Sequence, residues 1–119
     1  MLNKKYRLHS RGGVKYVYQK GNTVRKPRMS LVFCENTRGF TRMTVVVSKK
    51  VEKTAVGRNR IRRRVYEALR KNLEYIPKKV DYIFVVYSKD IMTIKFAELE
   101  KLLGELVAES KVCYNKKNG

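Results

Sequence analysis

Between Lys49 and Arg70 the chain reads KKVEKTAVGRNRIRRRVYEALR, and five arginines, Arg58, Arg60, Arg62, Arg63 and Arg64, fall within seven residues. The chemistry open to such a cluster is phosphate recognition, because a guanidinium presents its donors in a rigid fork that matches pairs of phosphate oxygens. Aliphatic residues recur through the same stretch at helical spacing. On a wheel of about 100° per residue, Ile61, Val65, Ala68, Leu69 and Leu73 form one stripe, and Asn59, Arg60, Arg63, Arg64 and Arg70 point away from it. The spacing predicts a helix that docks by its aliphatic side and holds guanidiniums in fixed positions on the other. Arg62 borders the stripe, with its stem on apolar neighbours and its head at the rim. Lys49 and Lys50 lie about two turns ahead of Arg58, Asn59 and Arg60, so lysines, backbone donors and guanidiniums can share one phosphate track.

Bond-breaking chemistry has no comparable cluster. His9 is the sole histidine, and no serine, threonine or cysteine sits in a nucleophile motif. There is no phosphate loop. Two-metal hydrolysis needs several converging carboxylates, but the acids are scattered or gathered as Glu98, Glu100, Glu105 and Glu109 on the polar side of the last predicted helix. Cys34, Cys113 and His9 cannot supply the four ligands of a structural zinc site, and no disulfide is expected between two isolated thiols. The residues suit holding a nucleic acid, not cutting one. Tyr16, Tyr18, Phe33, Tyr66 and Tyr114 are candidate platforms for unpaired bases. Of these, Phe33 alternates with strand neighbours and reads as core, Tyr18 shares a helix stripe with Val14, and Tyr114 lies in a basic tail.

Around these groups, 119 residues allow one core, and the 43% hydrophobic share is that of an ordinary folded domain. Lys and Arg number 29 against 10 Asp and Glu, leaving a formal charge of +19 that a compact state tolerates best beside a polyanion. No apolar run is long enough to span a membrane, and MLNKKYRLHSRGG lacks the apolar core of a signal peptide, so a cytoplasmic protein is expected.

A single domain over residues 1–119 is predicted, with residues 1–9 and 111–119 loose. A first helix runs from Ser10 to Lys20 and stops at Gly21-Asn22. Met29–Cys34 and Thr41–Ser48 read as a hairpin, with Val24 on a further edge strand before Pro27. Tyr82–Tyr87, YIFVVY, is apolar throughout and reads as a central strand covered on both faces. The last helix begins near Thr93 or Lys95 and ends at Ser110. This pattern and charge leave open a structural ribosomal or general RNA-binding protein with no enzymatic role. A DNA-binding regulator lacks a helix-turn-helix pattern.

Val47-Ser48-Lys49-Lys50-Val51, followed by Ala55-Val56-x-Arg58-Asn59-Arg60-Ile61-Arg62-Arg63, resembles the signature of the bacterial ribonuclease P protein subunit. The resemblance extends through Arg7-Leu8, Val17-Tyr18-x-x-Gly21, Asp81-Tyr82 and Phe96-Ala97-Glu98-Leu99, over roughly residues 5 to 114. It implies an α/β (α+β) two-layer sandwich in the order αβββαβα. The sheet would be four-stranded and mixed, with the basic helix in a left-handed βαβ crossover where about 98% of such connections are right-handed.

It also implies a function: assisting a catalytic RNA, with Mg²⁺ held mainly by that RNA and none bound stably by the protein alone, to remove the 5′ leader of precursor tRNA. By position, Lys49, Lys50, Arg58, Asn59, Arg60, Arg62 and Arg63 would contact RNA. A cleft between the first helix and the sheet would bind the single-stranded leader through Val14, Tyr18, Tyr66 and Tyr114. Tyr18 matches an aromatic of that cleft and Tyr114 a second. Val14 stands where an aromatic is common, Tyr66 occupies a position that can be basic, and Gly12-Gly13, Thr44 and Gly57 are also atypical.

Overall fold

A computed structural model of the chain describes residues 6–8, 11–36 and 39–118, apart from the side chains of Arg11 and of residues 112–118. Helix α1 (Arg11–Lys20) buries Val17 and half-buries Val14. It stops at Gly21, whose N–H meets the Val17 carbonyl at 2.8 Å. A Cβ there would lie 2.4 Å from the Val17 oxygen and 2.5 Å from the Phe33 oxygen, so only glycine lets the chain turn this closely into β1 (Asn22–Arg25).

Strand β1 pairs antiparallel with β2 (Met29–Glu35) around Pro27. After β3 (Arg42–Val47), helix α2 (Ala55–Lys71) leads to β4 (Val80–Val86) and then α3 (Phe96–Asn118). The strand order is β1-β2-β4-β3, with β2 and β4 antiparallel and β3 and β4 parallel. This is the expected αβββαβα order and mixed sheet, with β4 inside it.

The hairpin expected between Met29–Cys34 and Thr41–Ser48 does not form, because β4 lies between the two strands. The physical reason is burial. Strand β4 carries apolar residues on both faces, whereas β3 alternates half-buried and buried positions and is suited to an edge. The hairpin is instead the β1–β2 pair, with Val24 on the edge strand as its sequence suggests.

Sheet and helices make two cores of unequal size. On one face Leu31, Phe33, Val45 and Phe84 pack against Ile61, Val65, Ala68 and Leu69 of α2 and against Leu99, Leu103, Leu106 and Val107 of α3. This is the two-layer sandwich. On the other face Leu8 and Val17 cover Val32 and Ile83, so α1 shields only part of the sheet.

Residues 6–8, expected to be mobile, are docked. Arg7 bridges to Met43, the Leu8 N–H donates to the Met43 carbonyl at 2.7 Å, and the Leu8 side chain is buried. An apolar side chain within the basic segment is enough to anchor it along the open edge of β3. Residues 1–5 and 9 lie outside the described residues. Helix α3 continues past Ser110 to Asn118, through the segment where fraying is expected. Among the described residues no helix is long and apolar enough to cross a membrane.

Candidate nucleic-acid interface

The β3–α2 connection is built as a rigid platform. The Ser48 carbonyl accepts from Val51 N–H at 3.1 Å and Glu52 N–H at 3.3 Å, leaving Lys49 and Lys50 exposed on the turn. Thr54 caps α2, its hydroxyl accepting from the Gly57 N–H at 3.0 Å. The Glu52 carboxylate takes the Thr54 N–H and hydroxyl, each at 3.2 Å, and pairs with Lys89 at 3.3 Å. The Thr54 N–H first, and Lys89 next, hold the Glu52 carboxyl below its ordinary pKa. Gly57 is buried beneath this carboxylate: a Cβ on it would come within 2.5 Å of the Glu52 Cγ.

The arginines of α2 divide into two groups. Arg58 donates to the Glu52 carbonyl at 3.1 Å and the Lys53 carbonyl at 2.9 Å, clamping the turn while remaining partly exposed. Arg64, which the wheel places on the outer side, donates to the Ile91 carbonyl at 2.9 Å and to the Ile94 carbonyl, tying α2 to the loop after β4. That is a correction to its reading as part of the exposed cationic face. Arg70 pairs with Glu67.

Arg60 and Arg63 are exposed with no hydrogen-bond or ion-pair partner among the described residues, and the Asn59 side-chain amide oxygen accepts from the half-buried Arg62. The structure thus brings Lys49, Lys50, Arg58, Asn59, Arg60, Arg62 and Arg63 together on the turn and the first half of α2. Acids are engaged elsewhere: Glu109 pairs with Lys26 at 2.6 Å, and Asp90 and Glu98 each approach Arg28 to 3.9 Å.

The predicted leader-cleft residues do not stay together. Val14 and Tyr18 lie on α1, Val14 half-buried and Tyr18 47% exposed. Tyr66 belongs to the opposite side of the sheet, only 8% exposed, its hydroxyl accepting from the Val45 N–H at 3.2 Å. It satisfies an edge donor of β3 from within the larger core and is no part of a cleft beneath α1. The Tyr114 side chain lies outside the described residues. Phe33 is core, and Tyr16 is an exposed residue of α1.

What the sequence reading missed is the floor beyond α1. Val46 and Val85 are only half-buried, and Tyr87, next in the alternation after Ile83 and Val85, is 49% exposed. Partial burial raises the Tyr18 pKa above its ordinary value, and Tyr87 nearby raises it further. The signal was present in YIFVVY. Alternate residues of an apolar strand can face an uncovered patch as readily as a second core, and only the placement of α1 distinguishes them.

Strands β3 and β4 run parallel with Val47 opposite Val86, so Ser48 and Tyr87 leave the same end of the sheet. The open apolar patch and the lysine turn are therefore neighbours. At the other end of the patch, Asp81 accepts from Arg42 at 3.0 and 2.7 Å and from Asn36 at 2.7 Å, a brace between strands. Among the described residues no group of three or more His, Cys, Asp or Glu side chains is placed to hold a metal ion.

Comparison with known proteins identifies the family. The family model for Ribonuclease P matches residues 2–111. A ribonuclease P protein component of Borreliella afzelii is 34% identical over 110 residues, covering 90% of this chain and 97% of that protein. One from Vibrio campbellii is 32% identical over 105 residues, covering 88% and 87%. Among solved structures, the RNase P protein of Thermotoga maritima superposes with a TM-score of 0.77 at 25% identity, covering 85% of this chain and 94% of that one. The Staphylococcus aureus RNase P protein, at 24% identity, shares the fold with a TM-score of 0.77 over 90% and 96%. With the match running nearly end to end, the chain belongs to the bacterial ribonuclease P protein family, the protein subunits of an endoribonuclease of tRNA processing whose RNA performs the cleavage.

Proposed function

We propose that the protein engages two RNA segments at once on adjoining surfaces. Lys49, Lys50, Arg58, Asn59, Arg60, Arg62 and Arg63 hold the backbone of the catalytic RNA. The patch bounded by Val14, Tyr18, Val46, Val85 and Tyr87 takes the single-stranded 5′ leader of precursor tRNA. The observation that carries this reading is the adjacency of the uncompensated cations to an open aromatic patch at one end of the sheet. Phosphates draw the strand to the cations without regard to sequence, while unpaired bases stack on tyrosines that a duplex cannot reach.

Mg²⁺ serves the holoenzyme from sites on the RNA; the protein contributes by placing cations beside crowded phosphates and by orienting the leader. The site of action is the cytoplasm, where precursor tRNA is made. Purified chain is expected to cleave nothing alone and to stimulate leader removal by its cognate RNA at low Mg²⁺ and moderate salt. Absence of stimulation with that RNA would overturn the proposal.

A further inference from the structure

A pocket of about 180 Å³ opens between Ser110 and Lys111 of α3 and the start of β4, on the side of the sheet away from α1. Phe33 and Tyr82, cross-strand partners in β2 and β4, are buried and line it, and Pro77 and Val80 form an apolar wall. An apolar cavity of roughly 150 Å³ is enough for a benzene ring, so this pocket has room for one flat ring system. It also holds a polar point. The Tyr82 hydroxyl meets buried Ser110, whose own hydroxyl donates to the Val107 carbonyl at 2.6 Å, and burial raises the Tyr82 pKa above its ordinary value.

The mouth is cationic. Lys78, Lys79 and Lys111 are exposed there, with Glu35 the one acid in the lining. Lys79 adopts a φ of 66°, a left-handed conformation that glycine or asparagine meets at lower cost, and its carbonyl is fixed by the Asn36 N–H at 2.7 Å. A lysine at that position is not explained by the turn, but it does set a positive charge on the rim.

We propose that this pocket takes one unpaired nucleotide of an RNA strand, its base inserted against Phe33 and Tyr82 and its flanking phosphates held by Lys78, Lys79 and Lys111. A strand is favoured over a free nucleotide because the three lysines come from two separate elements, and a base within a strand carries a phosphate on each side. The sheet separates this pocket from the patch beneath α1, so the two sites can be tested independently.

The test is a titration of the isotopically labelled full chain, followed by NMR, with inorganic phosphate, adenosine monophosphate and an adenosine trinucleotide. A Tyr18→Ala background removes the leader patch without touching the pocket. Both nucleotides should give ring-current shifts at Val80, Phe33 and Tyr82, whereas phosphate should not. The trinucleotide should bind about tenfold more tightly than the monophosphate, and Lys78→Glu with Lys79→Glu should weaken it by about tenfold. Both lysines are exposed, so an otherwise unchanged spectrum verifies the fold. Shifts at Val80 with phosphate alone, or no shifts with either nucleotide, would overturn the proposal. Equal affinity for monophosphate and trinucleotide would overturn the assignment to a strand.

Discussion

The basic face of α2 and the patch beneath α1 are both open surfaces, yet they are built by opposite means. The first is local: a turn and two helical turns place every cation, with Glu52, Thr54 and Arg58 locking the entry. The second is assembled from α1, β3 and β4, which only the strand order brings together. A surface held by short-range contacts survives the loss of any one side chain. A surface held by the sheet depends on which strand lies beside which. The difference predicts separable defects: charge changes on α2 alter salt-dependent affinity, whereas changes beneath α1 alter discrimination between tRNA forms.

The largest expected effect tests the division between faces. Tyr66→Ala should cost about 3–5 kcal/mol of stability in urea unfolding, as for other large buried aromatics, and Tyr66→Phe about 1 kcal/mol for the lost Val45 contact. Neither should change the preference for precursor over mature tRNA while the protein remains folded. A selective loss for precursor would return Tyr66 to the cleft. Next, Tyr18→Ala and Tyr87→Ala should each weaken precursor binding by about 1–3 kcal/mol in filter binding, with mature tRNA unaffected. Equal losses for both forms would indicate damaged packing.

Within α2 the comparison narrows to two arginines. Arg60→Ala should reduce the slope of log affinity against log salt by about 0.7 to 0.9 with an unchanged melting temperature. Arg58→Ala should show a similar slope change and also lose about 1 kcal/mol of stability, because two turn carbonyls lose their donor. Identical melting curves for the two variants would remove the clamp from Arg58.

The smallest effect concerns Glu52. Its carboxyl is held below the unfolded value, so its stabilisation is present above about pH 4.5 and is lost as pH falls through the lower folded value. Glu52→Gln should flatten that acid limb of the urea midpoint. An unaltered limb would assign it to other carboxylates.

Much of the local surface was legible in the sequence because helical periodicity is a short-range property. Ile61, Val65, Ala68 and Leu69 marked the buried side of α2, and the motif from Lys49 to Arg63 marked its partner. Arg64 was misplaced because a wheel shows direction and not what waits there, here the carbonyls of Ile91 and Ile94. The β2–β3 hairpin failed for a related reason: adjacency in sequence says nothing of a later strand, β4, apolar on both faces and inserting between them. Tyr66 followed the same rule, since its partner Val45 is brought to it only by the packing of α2 on β3. Tyr87 was visible as the end of an apolar run, but its exposure depends on how little of the sheet α1 covers.

The most direct measurement is the affinity of reconstituted holoenzyme for precursor and mature tRNA, compared between Tyr18→Ala and Arg60→Ala at protein concentrations that saturate the catalytic RNA. Two adjoining but distinct surfaces predict that Tyr18→Ala lowers the precursor-to-mature ratio, while Arg60→Ala weakens assembly with the RNA and leaves that ratio unchanged. A fall in the ratio of the same size for both variants would contradict the division.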